Sequence, residues 1–349
     1  MKVLVVKLSS LGDIVNTVPA LLYLKDNAKE HIELHWLVND SFLSFVEAVS
    51  IADKVIGFNR QCWNRPLNIV KNLKNFFRLI KELRKEKYDI AIDLQCLFRS
   101  SIIPFLSGVK RRAGFDRTRE GAHFFLNELA QTKNKHYHAI EENAAVIKKS
   151  FSIASPFDAK KYVLKIEMPE KENKVEKFFK EKGIDSRKMI IINPNSRWGS
   201  KKWGNDKYKQ LIKRMVDNTE FSIGIIGTAD EKEDIIPLIV DNKRVYDFTG
   251  QTDIISLYFI FKRVKLLVTN DSGPMHIASA SLCKTLAIFG PTSPERTGPF
   301  WEKEIIKSNV KCSPCFKRVC PLKGNKSMQC MKSISVDEVF KKVIELTGI

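Results

Sequence analysis

Asp13 follows an apolar run, Val3–Val6, and a small-residue loop, Ser9-Ser10-Leu11-Gly12, and it precedes an apolar helical pattern. A carboxylate at the seam of a strand and a helix has two uses. It can accept the free N–H groups of the helix start, or it can take a proton from a hydroxyl held at the strand end. Position alone leaves both open. Gly12 lets a ligand approach the backbone, and Pro19 kinks or shortens the helix. The loop does not match the phosphate-cradling Gly-x4-Gly-Lys-Ser/Thr pattern.

Three further stretches carry chemistry. In "LLVTNDSGPMHIASA" a strand gives way to a turn with Asp271, Ser272 and Gly273, then to a helix with Pro274 in its first turn and His276 close behind. Free N–H groups at such a helix start bind phosphate; the plainer reading is a capped helix with an incidental histidine. In "INPNSRWGSKKWGNDKY", Ser196, Arg197, Lys201 and Lys202 crowd one loop. A cation there can neutralise charge on a leaving phosphate, or simply be solvated. In "IDLQCLFRSSIIPFLSGVKRRAGFDRTRE" a strand ends in Asp93 and Gln95, and Arg99, Lys110, Arg111, Arg112, Arg117 and Arg119 follow. That many cations near one strand end point to an anionic ligand.

Elements must hold these loops in place. Short apolar runs at Val3, Leu34, Asp89 and Arg111 alternate with helical patterns over 14–25, 40–49, 66–87 and 139–150. The alternation restarts after a Pro-containing, charged stretch near 155–170. Strands are then expected at Met189, Phe221, Val245, Leu267 and Thr285, with helices over 206–217, 231–240, 254–262 and 274–280. Strand–helix alternation of this kind builds parallel sheets covered by helices. The fold class is therefore α/β, with two Rossmann-like domains over 1–160 and 161–349 facing across a cleft. The last helix is free in this scheme to pack back on the N-terminal domain. Ligands of open α/β sheets bind at the carboxyl ends of the strands, where all four stretches fall.

The chain of 349 residues is 44% hydrophobic, yet no apolar run approaches the ~20 residues that span a bilayer. The N-terminal apolar run is too short for a secretory signal, so a cytoplasmic protein is expected. The net charge of +19 implies an anionic partner, either nucleic acid, a membrane face or a phosphorylated substrate, unless it reflects only a lysine-rich surface. No zinc-finger spacing, Arg-rich arm or RNA-binding aromatic stretch supports nucleic acid.

The four stretches together, in this order, resemble glycosyltransferase family 9, the heptosyltransferases of lipopolysaccharide inner-core synthesis. The likeness runs from Met1 to about residue 295 and is carried by "KLSSLGDIVNTVPAL", "IDLQCLFRS" with "GFDRTRE", "KKWGNDKY" and "NDSGPMHIASA". The resemblance implies a GT-B fold. It implies inverting transfer of L-glycero-D-manno-heptose from ADP-heptose to Kdo-lipid A or its heptosylated form, with no cofactor and no catalytic metal. Asp13 would be the general base, with Ser10, Gly12, Arg60, Arg99 and Arg119 toward the anionic acceptor. Ser196 and Lys201 would meet the donor diphosphate, and Asp271, Ser272, Gly273 and His276 would hold the donor sugar and phosphates. Asp230 or Glu231 would take the adenosine ribose. One base suffices, because ADP leaves readily once its charge is neutralised; glycoside hydrolysis, by contrast, needs two carboxylates. The implied partners are the ADP-heptose donor, an anionic glycolipid and, by electrostatic contact, the cytoplasmic face of the inner membrane; no nucleic acid is expected. Arg111, Arg112 and Arg117 are the candidates for that contact, with the helix around Lys71–Lys85 as a second choice.

Two positions depart from the family pattern: Cys96 stands where glycine is usual, and Glu142 where arginine is usual. A nucleotide-sugar epimerase on the same architecture would have no use for the basic cluster of the first half. A nucleic-acid-binding protein rests on charge alone. Cys312, Cys315, Cys320 and Cys330 lie within nineteen residues. They suit a structural metal site, a redox pair or plain reduced thiols.

Overall fold

The computed structural model describes residues 1–59, 69–132 and 137–348. Among them, twelve strands form two six-stranded sheets. The first holds β1 (Lys2–Val6), β2 (Glu33–Asn39), β3 (Lys54–Phe58), β4 (Ile90–Asp93), β5 (Arg111–Phe115) and β6 (Glu128–Ala130), in the order β3-β2-β1-β4-β5-β6. The second holds β7 (Met189–Asn193), β8 (Ser222–Ile225), β9 (Val245–Asp247), β10 (Leu266–Asn270), β11 (Thr285–Phe289) and β12 (Lys303–Lys307), in the order β9-β8-β7-β10-β11-β12. The two orders are one pattern used twice, and the pairings are parallel. In each sheet the order reverses between two central strands, β1 and β4 in the first, β7 and β10 in the second.

The central strands are legible because they are buried on both faces. β7, β10 and β11 are buried along their whole length, and such strands read as unbroken apolar runs. The edge strands β3, β6 and β12 escape a pattern reading. Each pairs on one side only and opens on a charged residue, Lys54, Glu128 or Lys303, which leaves a short apolar signal.

Proline explains two differences among the helices. The expected helix over 14–25 is two, Leu11–Val15 and Val18–Asn27, with Pro19 in the first turn of the second, where its missing N–H costs nothing. The expected helix over 231–240 is a chain of short turns, Ala229–Glu231, Lys232–Ile235 and Ile236–Leu238, because Pro237 cannot donate a helical bond. The helix Phe98–Leu106 sits where the sequence shows chiefly a basic cluster. The charged run after 168, read as a joining stretch, is the helix Pro169–Glu181, whose Val175 and Phe179, four residues apart, are buried.

The chain divides into two compact units, Met1–Glu167 and Met168–Ile349. Residues 157–166 pack with the first. The Tyr162 hydroxyl donates to Asp26 at 2.9 Å, its ring stacks on Phe157, and Leu164 and Ile166 are buried. The final helix, Val336–Thr347, lies on Asn205–Asn218 within the second unit. Val339 and Val343 enter that unit's core, and the Arg214 guanidinium covers the Phe340 ring at 4.4 Å while pairing with Asp337.

Candidate active site

In the first unit the chemistry gathers where β1 and β4 end side by side, Val6 in register with Asp93. Ser10 is the N-cap of Leu11–Val15, and its backbone N–H and hydroxyl both donate to Asp13 Oδ2 at 2.8 Å. Asp13 therefore does cap its helix. The same two bonds fix a half-buried carboxylate at the strand end, beside the buried Gly12. The loop before it is braced from β4: the Ser9 N–H donates to Gln95 Oε1 at 3.2 Å. The Asp93 carboxylate, wholly buried, accepts from the N–H groups of Gln95 and Cys96 and the hydroxyls of Ser100 and Ser101. Burial pushes the Asp93 carboxyl up, and these donors oppose it.

Cys96 has φ of +48°, a backbone that favours glycine, which is the physical sense of the residue it replaces. Its thiol fits tightly: Sγ donates to Asp93 O at 3.0 Å and accepts the Phe115 N–H at 3.2 Å. A Cβ on the facing Gly114 would lie 2.7 Å from that sulfur. The Cys96 carbonyl accepts the Arg119 N–H at 3.1 Å, so this turn also holds the basic loop. Arg99 and Arg119 are exposed; Arg60 lies outside the described residues.

The other arginines are engaged within the fold. Arg111 forms a two-point pair with Glu128 and donates to Ser150 O. Arg112 donates to the carbonyls of Phe125, Val109 and Lys110. Arg117 pairs with Glu142, whose side chain is only 6% exposed. The acid at the departing position thus has a partner from "GFDRTRE". These three are poor candidates for a surface tether.

In the second unit the candidates meet where β7 and β10 end side by side, Asn193 in register with Thr269. Asn193 Nδ2 donates to Thr269 Oγ1 at 2.9 Å and to Ser272 Oγ at 2.8 Å. Ser272 stands at the N-cap position of Gly273–Ala280 without a side-chain cap bond, and that helix carries the buried His276 in its first turns. The Ser196 hydroxyl donates to Asp271 O at 2.8 Å. Lys201 Nζ lies 2.6 Å from Asp271 Oδ2 and 4.6 Å from the centre of the Trp198 ring. Thr292 Oγ1 donates to the same carboxylate oxygen at 2.6 Å. An ammonium already paired with a carboxylate, a helix N-terminus and several hydroxyls are thus brought together at one strand end, the kinds of group that can meet an anion.

The family profile described as glycosyltransferase family 9 (heptosyltransferase) matches residues 76–326. The chain belongs to glycosyltransferase family 9. A lipooligosaccharide heptosyltransferase 2 of Campylobacter jejuni subsp. jejuni serotype O:6 is 28% identical, covering 95% of this chain and 96% of its own. A lipopolysaccharide heptosyltransferase 1 of Campylobacter coli is 27% identical, covering 100% and 99%. The solved structure of the E. coli ADP-heptose lps heptosyltransferase II shares the fold with a TM-score of 0.77 at 20% identity, covering 99% and 98%. Membership of family 9 favours neither the epimerase nor the nucleic-acid-binding reading.

Two polar residues at these strand ends, Thr292 and Asn195, are not singled out by the sequence motifs. Thr292 had a signal: "FGPTSP" follows β11 as a small, polar strand end, like the other loops. Asn195 is 3% exposed, and neither its amide nitrogen nor its amide oxygen has a partner among the described residues. Only burial reveals that. Of the two ribose candidates, Glu231 Oε2 accepts the Thr228 N–H at 2.9 Å, while Asp230 is exposed.

The cysteine loop is a set of free thiols, Cys312 exposed and Cys330 buried. Among the described residues no group of three or more His, Cys, Asp or Glu is placed to hold a metal ion. Cys320 accepts the Met328 N–H at 3.3 Å, which lowers its thiol, whereas burial raises that of Cys330. Among the described residues no helix is long and apolar enough to cross a membrane.

Proposed function

We propose that this family 9 enzyme transfers L-glycero-D-manno-heptose from ADP-heptose to Kdo-lipid A, or to its heptosylated form, in lipopolysaccharide inner-core synthesis. The transfer inverts the anomeric carbon, uses no catalytic metal and takes place at the cytoplasmic face of the inner membrane. The unit Met1–Glu167 serves the acceptor and Met168–Ile349 the donor. What carries the reading is that each sheet has its chemistry-bearing loops at the point where its strand order reverses, Ser10 with Asp13 beside β1 and β4, Lys201 with Asp271 beside β7 and β10. Open α/β sheets bind ligands there.

In this reading Asp13 takes the proton of the acceptor hydroxyl as its oxygen attacks the anomeric carbon. The bond from that carbon to the ADP oxygen breaks, and the electron pair leaves with the β-phosphate. Lys201, released from Asp271, and the N-terminus of Gly273–Ala280 stabilise the growing negative charge. Ser196, Asn195, Ser272 and His276 hold the donor, and Glu231 or Asp230 the ribose. Ser10 and Gly12 line the base, with Arg60, Arg99 and Arg119 toward acceptor anions.

The test is a transfer assay with ADP-heptose against Kdo-lipid A and its monoheptosylated form, with and without EDTA. Transfer to one of the two that survives EDTA is expected. No transfer to either defeats the acceptor assignment. Loss of activity that Mg²⁺ restores defeats the metal-free donor site.

A further inference from the structure

The helix Ile69–Lys85 carries six Lys or Arg and a single acid, Glu82. Its inward side is apolar, with Phe76, Ile80 and Leu83 in the core of the first unit. Its outward side is not simply solvated. Leu73 is 46% exposed and Phe77, one turn on, is 61% exposed. Lys74 and Lys81 are exposed beside them. Arg78 is held by Glu82 at 3.0 Å, so the one acid sits against an arginine and leaves those lysines uncompensated by their own helix. The helix Phe98–Leu106 shares the same core, through Ile103, and begins with Phe98, 45% exposed, and the exposed Arg99.

Both helices follow or precede strands of a parallel sheet, so their N-terminal halves lie at its carboxyl edge, the edge that carries Asp13. Single exposed apolar residues are ordinary. Here Leu73, Phe77 and Phe98 lie toward that edge with Lys74 and Arg99 beside them and Lys81 one turn beyond Phe77, and the proposed function puts the acceptor at the same edge.

We propose that Leu73, Phe77 and Phe98, with Lys74, Lys81 and Arg99 around them, form a docking surface for an anionic lipid bilayer. The inference rests on the reading of a lipid-borne acceptor. An amphipathic helix lies in the membrane interface with its apolar residues among the acyl chains and its cations at the headgroups. Long lysine stems reach from the apolar level to the phosphates, and the attraction falls off within a Debye length. An acidic protein partner would match the cations but gives no role to the phenylalanines; a neutral apolar partner gives none to the lysines.

The experiment is co-sedimentation of the full-length protein with vesicles of phosphatidylglycerol and phosphatidylethanolamine, and with phosphatidylcholine vesicles, at low and high salt. The wild type should bind the anionic vesicles at low salt and be released at high salt. Lys74→Glu with Lys81→Glu should weaken binding by at least about 30-fold. Leu73→Ser with Phe77→Ser should weaken it by at least about tenfold. Circular dichroism reports folding. Should the apolar pair fail to fold, Phe77→Trp supplies a second reading, a blue shift of indole emission on anionic vesicles. Unchanged binding in both double variants overturns the proposal. So does equal binding to both vesicle types, or a concentration-dependent dimer that the Leu73/Phe77 variant abolishes in place of vesicle binding. Transfer to a delipidated acceptor is measured in parallel. If it proceeds while wild type ignores vesicles, the surface is wrong and the enzyme reading stands; if vesicles bind and no acceptor reacts, the enzyme reading is the one that falls.

Discussion

Replacing Lys201 by alanine separates the two things that lysine does. Its ammonium lies 2.6 Å from Asp271 Oδ2, with side chains 16% and 7% exposed. At an effective dielectric of about 20 the gross attraction at that distance is about 6 kcal/mol, most of it offset by desolvation of both groups. Removing the cation leaves a buried carboxylate whose remaining partner on that oxygen is Thr292, and stability should fall by about 3 kcal/mol. The effect on the reaction has another origin. On the proposed mechanism a donor phosphate displaces Asp271 in the ground state, so the lysine exchanges one anion for another and gains little. In the transition state roughly half a charge more gathers on the leaving phosphate. At about 3.5 Å this is worth about 2–3 kcal/mol, or roughly 30- to 150-fold in rate. The assay is kcat at saturating donor, the Kd of ADP by calorimetry, and urea melts, for Lys201→Ala alone and combined with Asp271→Asn. The single variant should lose kcat in that range, lose less than about fivefold in ADP affinity, and melt early. The double variant should regain most of the stability and none of the rate. Equal losses in affinity and kcat would refute the transition-state argument, and a rate that recovers with stability would show the lysine to be structural.

Asp13→Asn keeps an acceptor oxygen for Ser10, so its helix should stay capped and stability should change by less than about 1 kcal/mol. Transfer should nonetheless fall by at least about 10²-fold, with ADP affinity unchanged; wild-type turnover would leave Asp13 a cap and nothing more. Gly114→Ala places a methyl 2.7 Å from Cys96 Sγ and 2.8 Å from Leu126 Cδ1, and should cost about 1–3 kcal/mol by urea melting. Lys54 and Lys2 hold the Glu86 carboxyl down at about 2 from its ordinary 4.5. The native value is the lower one, so the stabilisation is complete above pH 4.5 and drains away as pH falls toward 2. Solvent screening keeps it to about 1 kcal/mol, and Lys54→Ala should flatten the fall in stability between pH 5 and 2.5.

Much of the fold could be read from residues alone. Val3–Val6, Met189–Asn193 and Leu266–Asn270 are short apolar runs ending in small or polar residues, and only strands buried on both faces look like that. The four candidate loops were visible for the same reason: a strand end must switch from apolar to small and polar within a residue or two, and Asp13, Asp93, Ser196 and Asp271 stand at those switches. Local sequence could not show which loops become neighbours. The strand order that sets β1 beside β4 and β7 beside β10 brings Ser9 to Gln95, 86 residues apart, and Asn193 to Ser272, 79 apart. It also engaged three prominent arginines with Glu128, backbone carbonyls and Glu142, and left Asn195 buried with both polar atoms unpartnered among the described residues. A charge in a sequence has no direction. Whether it meets solvent, a ligand or a buried acid depends on which element packs over it, and that is settled by the tertiary fold.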